Sequence, residues 1–191
     1  MIERKDFEEI KNELEMFDSN REYLIGKTRE IIRLSKRIIY SVHRNELSEA
    51  EKSAEEIRKV YAELEKEIAK VPALIYSGTL KNAMQEYVEA LCFFEIIKEK
   101  RMPTHKELGV QGEHYLLGMC DLIGEISRIA INSAANGSYD FAIEMKGLVL
   151  EIYYELMKFD FPNGELRKKF DGIKYEIKRL EDMALALRLK R

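Results

Sequence analysis

Four carboxylates stand in stretches where a helix is otherwise apolar. In the run Ala83-Met84-Gln85-Glu86-Tyr87-Val88-Glu89-Ala90-Leu91-Cys92-Phe93-Phe94, Glu86 and Glu89 are three positions apart. On a helix they share a face among large hydrophobic side chains. In the run Tyr115-Leu116-Leu117-Gly118-Met119-Cys120-Asp121-Leu122-Ile123-Gly124-Glu125-Ile126, Asp121 and Glu125 are four positions apart in an equally apolar setting. On an exposed helix such a like-charged pair costs only about 0.2 to 0.5 kcal/mol. Partial burial raises that cost sharply unless protons or cations compensate. If the two helices pack with these faces together, four carboxylates converge, and hard oxygen donors of this kind suit Mg2+ or Mn2+ rather than zinc or copper. The competing reading is structural: each pair is a solvated helix edge, with Arg128 able to neutralise only one member of the second pair.

The second helix carries a longer polar stripe, His114, Gly118, Asp121, Glu125, Arg128 and Asn132 at steps of three and four, which is either a partner-facing seam or a site. A second uneven feature lies near the N-terminus, where Arg21, Lys27, Arg29, Arg33, Lys36, Arg37 and Arg44 face only Glu22 and Glu30. Such a local excess of positive charge fits a nucleic-acid backbone. It fits equally a solvated face, or ion pairs to the acidic helix that follows with Glu49, Glu51, Glu55 and Glu56. Other chemistries lack their spacing. There is no Gly-rich phosphate loop, HExxH or GxSxG. None of the three histidines follows a Glu by three residues, which removes the usual di-iron ligand set. Cys92 and Cys120 stand apart with no CxxC, so they read as small buried hydrophobes rather than zinc ligands or a disulfide framework.

These residues need rigid elements to hold them, and the composition supplies helices. With 191 residues, 46% hydrophobic and 35% charged, the chain can bury a sizeable core. Ten glycines and only three prolines, the prolines all outside the strongly periodic stretches, leave little room for a turn-rich β fold. Net charge is −3, so bulk charge steers no polyanion here and any nucleic-acid surface must be local. No apolar run approaches the length of a membrane span, and Met1 to Ile10 is too charged for a signal-peptide core. The chain therefore reads as soluble and cytoplasmic.

Helical periodicity predicts helices over about 3–44, with Leu24, Ile31, Leu34, Ile38 and Val42 on one face, and over 49–70, ending near Pro72. Further helices are predicted over 73–100, 114–136, 139–159 and 165–191. Residues 101–110, with Pro103 and Gly109, form the clearest loop, with room for a short helical turn, and Pro162-Asn163-Gly164 is a turn. The expectation is an all-α, single-domain bundle of six or seven helices over residues 1–191, with no strand and no internal repeat.

Read together, Gln85-Glu86-Tyr87-Val88-Glu89-Ala90, the run from Tyr115 to Glu125, Arg128, Ile131-Asn132-Ser133 and Asn136-Gly137 resemble the translin family. So do Ser35-Lys36-Arg37-Ile38 and His43-Arg44 in the first helix, and the fuller acidic set places the chain nearer the family's translin-associated factor X branch. The resemblance spans most of the chain. It implies an all-α fold of about seven helices assembling as a homo-oligomer, an octameric shell around nucleic acid. It also implies a metal-dependent endoribonuclease acting on single-stranded RNA, with Glu86, Glu89, Asp121 and Glu125 as catalytic and metal-binding carboxylates for Mg2+ or Mn2+. On that reading metal-activated water attacks the phosphodiester, leaving a 5′-phosphate and a 3′-hydroxyl. Arg33, Lys36, Arg37, Arg101 and Arg128 would contact the backbone. The short connection around 101–112 and the absence of a nuclear-localisation run fit a self-assembling form that needs no separate partner subunit. Two other readings remain at this point: a non-catalytic shell that binds single-stranded RNA or DNA, and a helical scaffold whose acidic pairs serve subunit ion pairs.

Overall fold

The computed structural model describes residues 2–70 and 77–189. Among the described residues there are six helices and no strand: α1 (Arg4–His43), α2 (Leu47–Lys70), α3 (Gly78–Glu99), α4 (Gly112–Ala135), α5 (Tyr139–Leu156) and α6 (Glu165–Leu189). The all-α expectation holds, and the helix boundaries that fall on described residues differ from the predicted ones by a few residues. The predicted end of the second helix near Pro72, the start of the third at 73 and the end of the last at 191 lie outside the described residues.

The helices pack in chain order around α3 and α4. α1 lies against α2 and α3, α3 against α4, and α4 against both α5 and α6. The face of α1 predicted to be apolar is buried, with Ile31, Leu34 and Ile38 fully enclosed. On α2, Ile57 and Leu64 close the other side of that seam. α3 is apolar nearly all round because it is covered on more than one side. Leu80, Val88, Leu91, Cys92 and Phe93 all sit in the core. The first half of α1 is different. Phe7, Ile10, Leu14 and Phe17 continue the helical stripe but remain exposed, and burial begins at Leu24.

The α3–α4 crossing is set by a glycine. A Cβ on Gly118 would lie 2.7 Å from Val88 Cβ and Cγ1 and 2.9 Å from the Gln85 carbonyl oxygen. Only a residue without a side chain lets the two backbones approach this closely. The loop between α3 and α4 begins with Lys100 in the left-handed region, at φ 55°. Thr104 and Glu107 then cap each other: the Thr104 N–H donates to Glu107 Oε2 at 2.7 Å and the Glu107 N–H to Thr104 Oγ1 at 3.3 Å. The expected short helical turn appears as hydrogen-bonded turns over 105–109 rather than as a helix.

Candidate functional site

The Gly118 crossing places Val88 against α4 and brings the acidic faces of α3 and α4 within electrostatic range of each other. Glu86 is half-buried and Glu89 is 9% exposed. Burial pushes the Glu89 carboxyl up to about 8, helped by repulsion from Asp121, Glu86 and Glu125 and opposed by Lys169. Glu86 is shifted the same way, first by burial, then by Asp121 and Glu125, against the pull of Lys36 and Lys169. All four predicted carboxylates thus act on one another. Glu89 makes no hydrogen bond among the described residues, which leaves a nine-tenths buried acid without a partner.

The other two acids are paired. Lys169 Nζ, on α6, donates to Asp121 Oδ1 and Oδ2, both at 2.6 Å. On the other side, Glu125 Oε2 contacts His43 Nε2, in the last turn of α1. Arg128 Nη1 approaches the same oxygen at 3.5 Å. Burial raises the Glu125 carboxyl, but the His43 contact and the charges of His43 and Arg128 outweigh it, and the net shift is downward. The His43 ring is held by Phe93, centroids 5.0 Å apart. His43 and Lys169 escaped the sequence reading as site members. His43 could be seen only as part of the first-helix motif, and Lys169 gave no signal, because both reach the site through the tertiary path of α1 and α6.

With these rotamers, no group of three or more His, Cys, Asp or Glu side chains among the described residues stands at metal-binding spacing. The donor chemistry nevertheless fits a hard divalent cation: four carboxylates, one of them unpartnered, and no thiolate or imidazole-rich set. A cation there would have to draw Asp121 and Glu125 from their present partners. A small open cleft of about 180 Å3 borders Asp121, Gly124, Lys169, Gly172 and Glu176. A larger one, about 390 Å3, lies between α4 and α5, away from the acids, and is lined largely by apolar side chains such as Met119, Leu148 and Phe159.

The basic residues predicted to meet a backbone are distributed less simply. Arg33 lies 3.8 Å from Glu56 and Arg37 pairs with Glu49, so both turn toward α2, as the ion-pair alternative anticipated. Arg101 pairs with Glu107 at 2.6 Å, and Arg128 lies on the rim of the carboxylate site. Lys36 is exposed, forms no ion pair among the described residues and acts electrostatically on Glu86. The polar stripe of α4 divides. His114 and Gly118 are buried against neighbouring helices, whereas Asp121, Glu125 and Arg128 remain accessible. Cys92 and Cys120 are buried free thiols, both pushed up to about 12 by burial. No described helix is long and apolar enough to cross a membrane.

Comparison with known proteins places this arrangement. Translin-associated protein X of Mus musculus is 25% identical over 226 aligned positions, covering 96% of this chain and 78% of the mouse protein. The crystal structure of apo-NeC3PO superposes with a TM-score of 0.88 at 29% identity, covering 97% of each chain. The structure of AfC3PO in complex with duplex RNA gives a TM-score of 0.82 at 28% identity, covering 97% of this chain and 98% of that one. A model of the translin family matches residues 19–191, and the chain belongs to that family.

Proposed function

We propose that this protein is a divalent-metal-dependent endoribonuclease that cuts single-stranded RNA within a homo-oligomeric shell, an octamer on the family pattern. Glu89 carries the reading. An unpartnered acid nine-tenths buried beside three other carboxylates costs a helical bundle stability. Its use is in function, where perturbed carboxylates cluster. Mg2+ or Mn2+ held by Glu86, Glu89, Asp121 and Glu125 would lower the pKa of water and counter charge developing on the phosphoryl oxygens.

The remaining work falls to the chain's own side chains. Glu125, held ionised by His43 and Arg128, or Glu89 once it has lost its own proton, takes the proton of the attacking water as general base. His43 fixes the orientation of Glu125 through its contact with Oε2. Lys36, exposed beside Glu86, is the cation best placed to meet a phosphate next to the carboxylates. Arg33, Arg37, Arg101 and Arg128 reach RNA by exchanging a carboxylate for a phosphate. The likeness to a protein solved with duplex RNA supports RNA as the ligand; preference for single strands is part of the proposal.

A non-catalytic RNA-binding shell has one observation in its favour: Lys169 and His43 already satisfy Asp121 and Glu125 without a metal. Cleavage of end-labelled single-stranded and duplex RNA by wild type and by Glu89→Ala, in Mg2+, Mn2+ and EDTA, separates the two, with oligomer mass followed in parallel. The nuclease reading expects 5′-phosphate products that vanish in EDTA and in the variant while assembly is unchanged. Binding without cutting in any metal would leave the shell reading standing, and 2′,3′-cyclic phosphate ends would contradict attack by water.

A further inference from the structure

Lys169 offers a single ammonium to both oxygens of Asp121, at 2.6 Å each. The same charge moderates Glu89 and, with Lys36, Glu86. Glu125 is served separately, by His43 and Arg128. One monovalent cation therefore sits among three of the four acids, and it comes from α6, which contributes no carboxylate to the site.

We propose that the Lys169 ammonium is an internal stand-in for the divalent cation. It holds Asp121 in the metal-free protein, leaves that carboxylate when metal binds, and so sets the metal affinity of the site from α6. This rests on the reading of the four acids as a metal site. With Nζ at 2.6 Å from both oxygens the ammonium occupies the bidentate face of Asp121 that a divalent cation would take, so metal entry there and the present Lys169 contact compete. The cleft of about 180 Å3 beside Asp121 and Gly172 gives the displaced side chain somewhere to go. The ammonium offsets the charge of Asp121 alone, whereas a divalent ion supplies twice the charge without an alkyl stem. Lys169 is thus a positioning residue: it keeps the metal-free carboxylates apart from mutual repulsion and makes metal uptake competitive.

The test is direct binding of Mn2+, followed by the electron paramagnetic resonance signal of the free ion, in wild type, Lys169→Met and Lys169→Arg without RNA. Removal of the competing charge is expected to lower the Mn2+ dissociation constant about tenfold or more in Lys169→Met, while Lys169→Arg stays within about threefold of wild type. A residue that merely braced the fold would give the opposite sign, weaker binding with loss of the competing charge. Equal or weaker Mn2+ binding by a natively helical Lys169→Met overturns the proposal. If wild type also binds Mn2+ and cuts RNA, only the role of Lys169 falls. If neither protein binds Mn2+ at millimolar concentration, this inference and the metal reading fall together. Should the variant not fold, the Lys169 Nζ resonance of the wild-type protein decides. Saturating Mg2+ is expected to move it to the position of an unpaired lysine, and a resonance that stays put overturns the proposal.

Discussion

Glu89 is an acid whose ionisation the folded protein resists, and the consequence is a pH dependence of definite sign. The folded state keeps this proton to about pH 8, first because the carboxyl is buried and then because Asp121, Glu86 and Glu125 repel its charge. The unfolded chain releases it near the ordinary glutamate value of 4.5. Between these limits the folded state binds more protons, so stability falls as pH rises through the window, at about 1.4 kcal/mol for each tenfold difference in proton affinity. Glu89→Gln removes the dependence. In EDTA the variant is expected to gain on wild type by a few kcal/mol at pH 8 and to differ little near pH 4.5, as urea unfolding at the two pH values will show. An equal difference at both would mean that the Glu89 proton is not linked to folding. The four acids were legible in the sequence because apolar neighbours isolate them. His43 and Lys169 were not, since they meet Glu125 and Asp121 across 82 and 48 residues, separations that no helical period encodes.

At the scale of elements, the site depends on how closely α3 and α4 cross. Gly118 permits the approach, and the nearest atoms to a Cβ there include the Gln85 carbonyl oxygen at 2.9 Å, backbone that cannot swing aside as a flexible side chain would. Gly118→Ala is therefore expected to push the helices apart and destabilise the protein by about 1 to 3 kcal/mol, despite the better helix propensity of alanine. Thermal unfolding measures it, and a midpoint equal to or above that of wild type would show that the crossing relaxes freely. The helices themselves were readable because their apolar period is strong: Ile31, Leu34 and Ile38 on α1 and Ile57 and Leu64 on α2 are all fully buried. Periodicity identifies a face but not what covers it. Phe7, Ile10, Leu14 and Phe17 carry apolar side chains along the first half of α1 at helical spacing yet stand exposed. The Thr104–Glu107 cap was hidden for a similar reason, since the capping-box spacing falls in a Pro- and Gly-bearing loop rather than before an apolar run.

Across the whole molecule the charges are nearly balanced, and the basic residues assigned to RNA are largely paired, which shapes how RNA could bind. The net charge is −3. Of the five basic residues assigned to backbone contact, Arg33, Arg37, Arg101 and Arg128 each lie against a glutamate. Lys36 has no ion pair among the described residues. A single-stranded backbone contacted by all five would make log K fall against log[salt] with a slope of about −3.5 per protomer, at about −0.7 per neutralised phosphate. Each arginine that gives up a carboxylate offsets part of what the phosphate contributes, so the engaged residues should count for less than their number. The slope is accordingly expected to be shallower than about −3.5, and Lys36→Ala to weaken binding and flatten the slope more than Arg101→Ala. Fluorescence anisotropy of a labelled single-stranded RNA over a salt series, in EDTA so that cleavage does not intervene, measures both. Equal losses for the two variants would mean that the Arg101–Glu107 pair opens without cost and that the free-cation argument does not govern binding; a larger loss for Arg101→Ala would move the RNA path away from the carboxylate face and toward the α3–α4 loop.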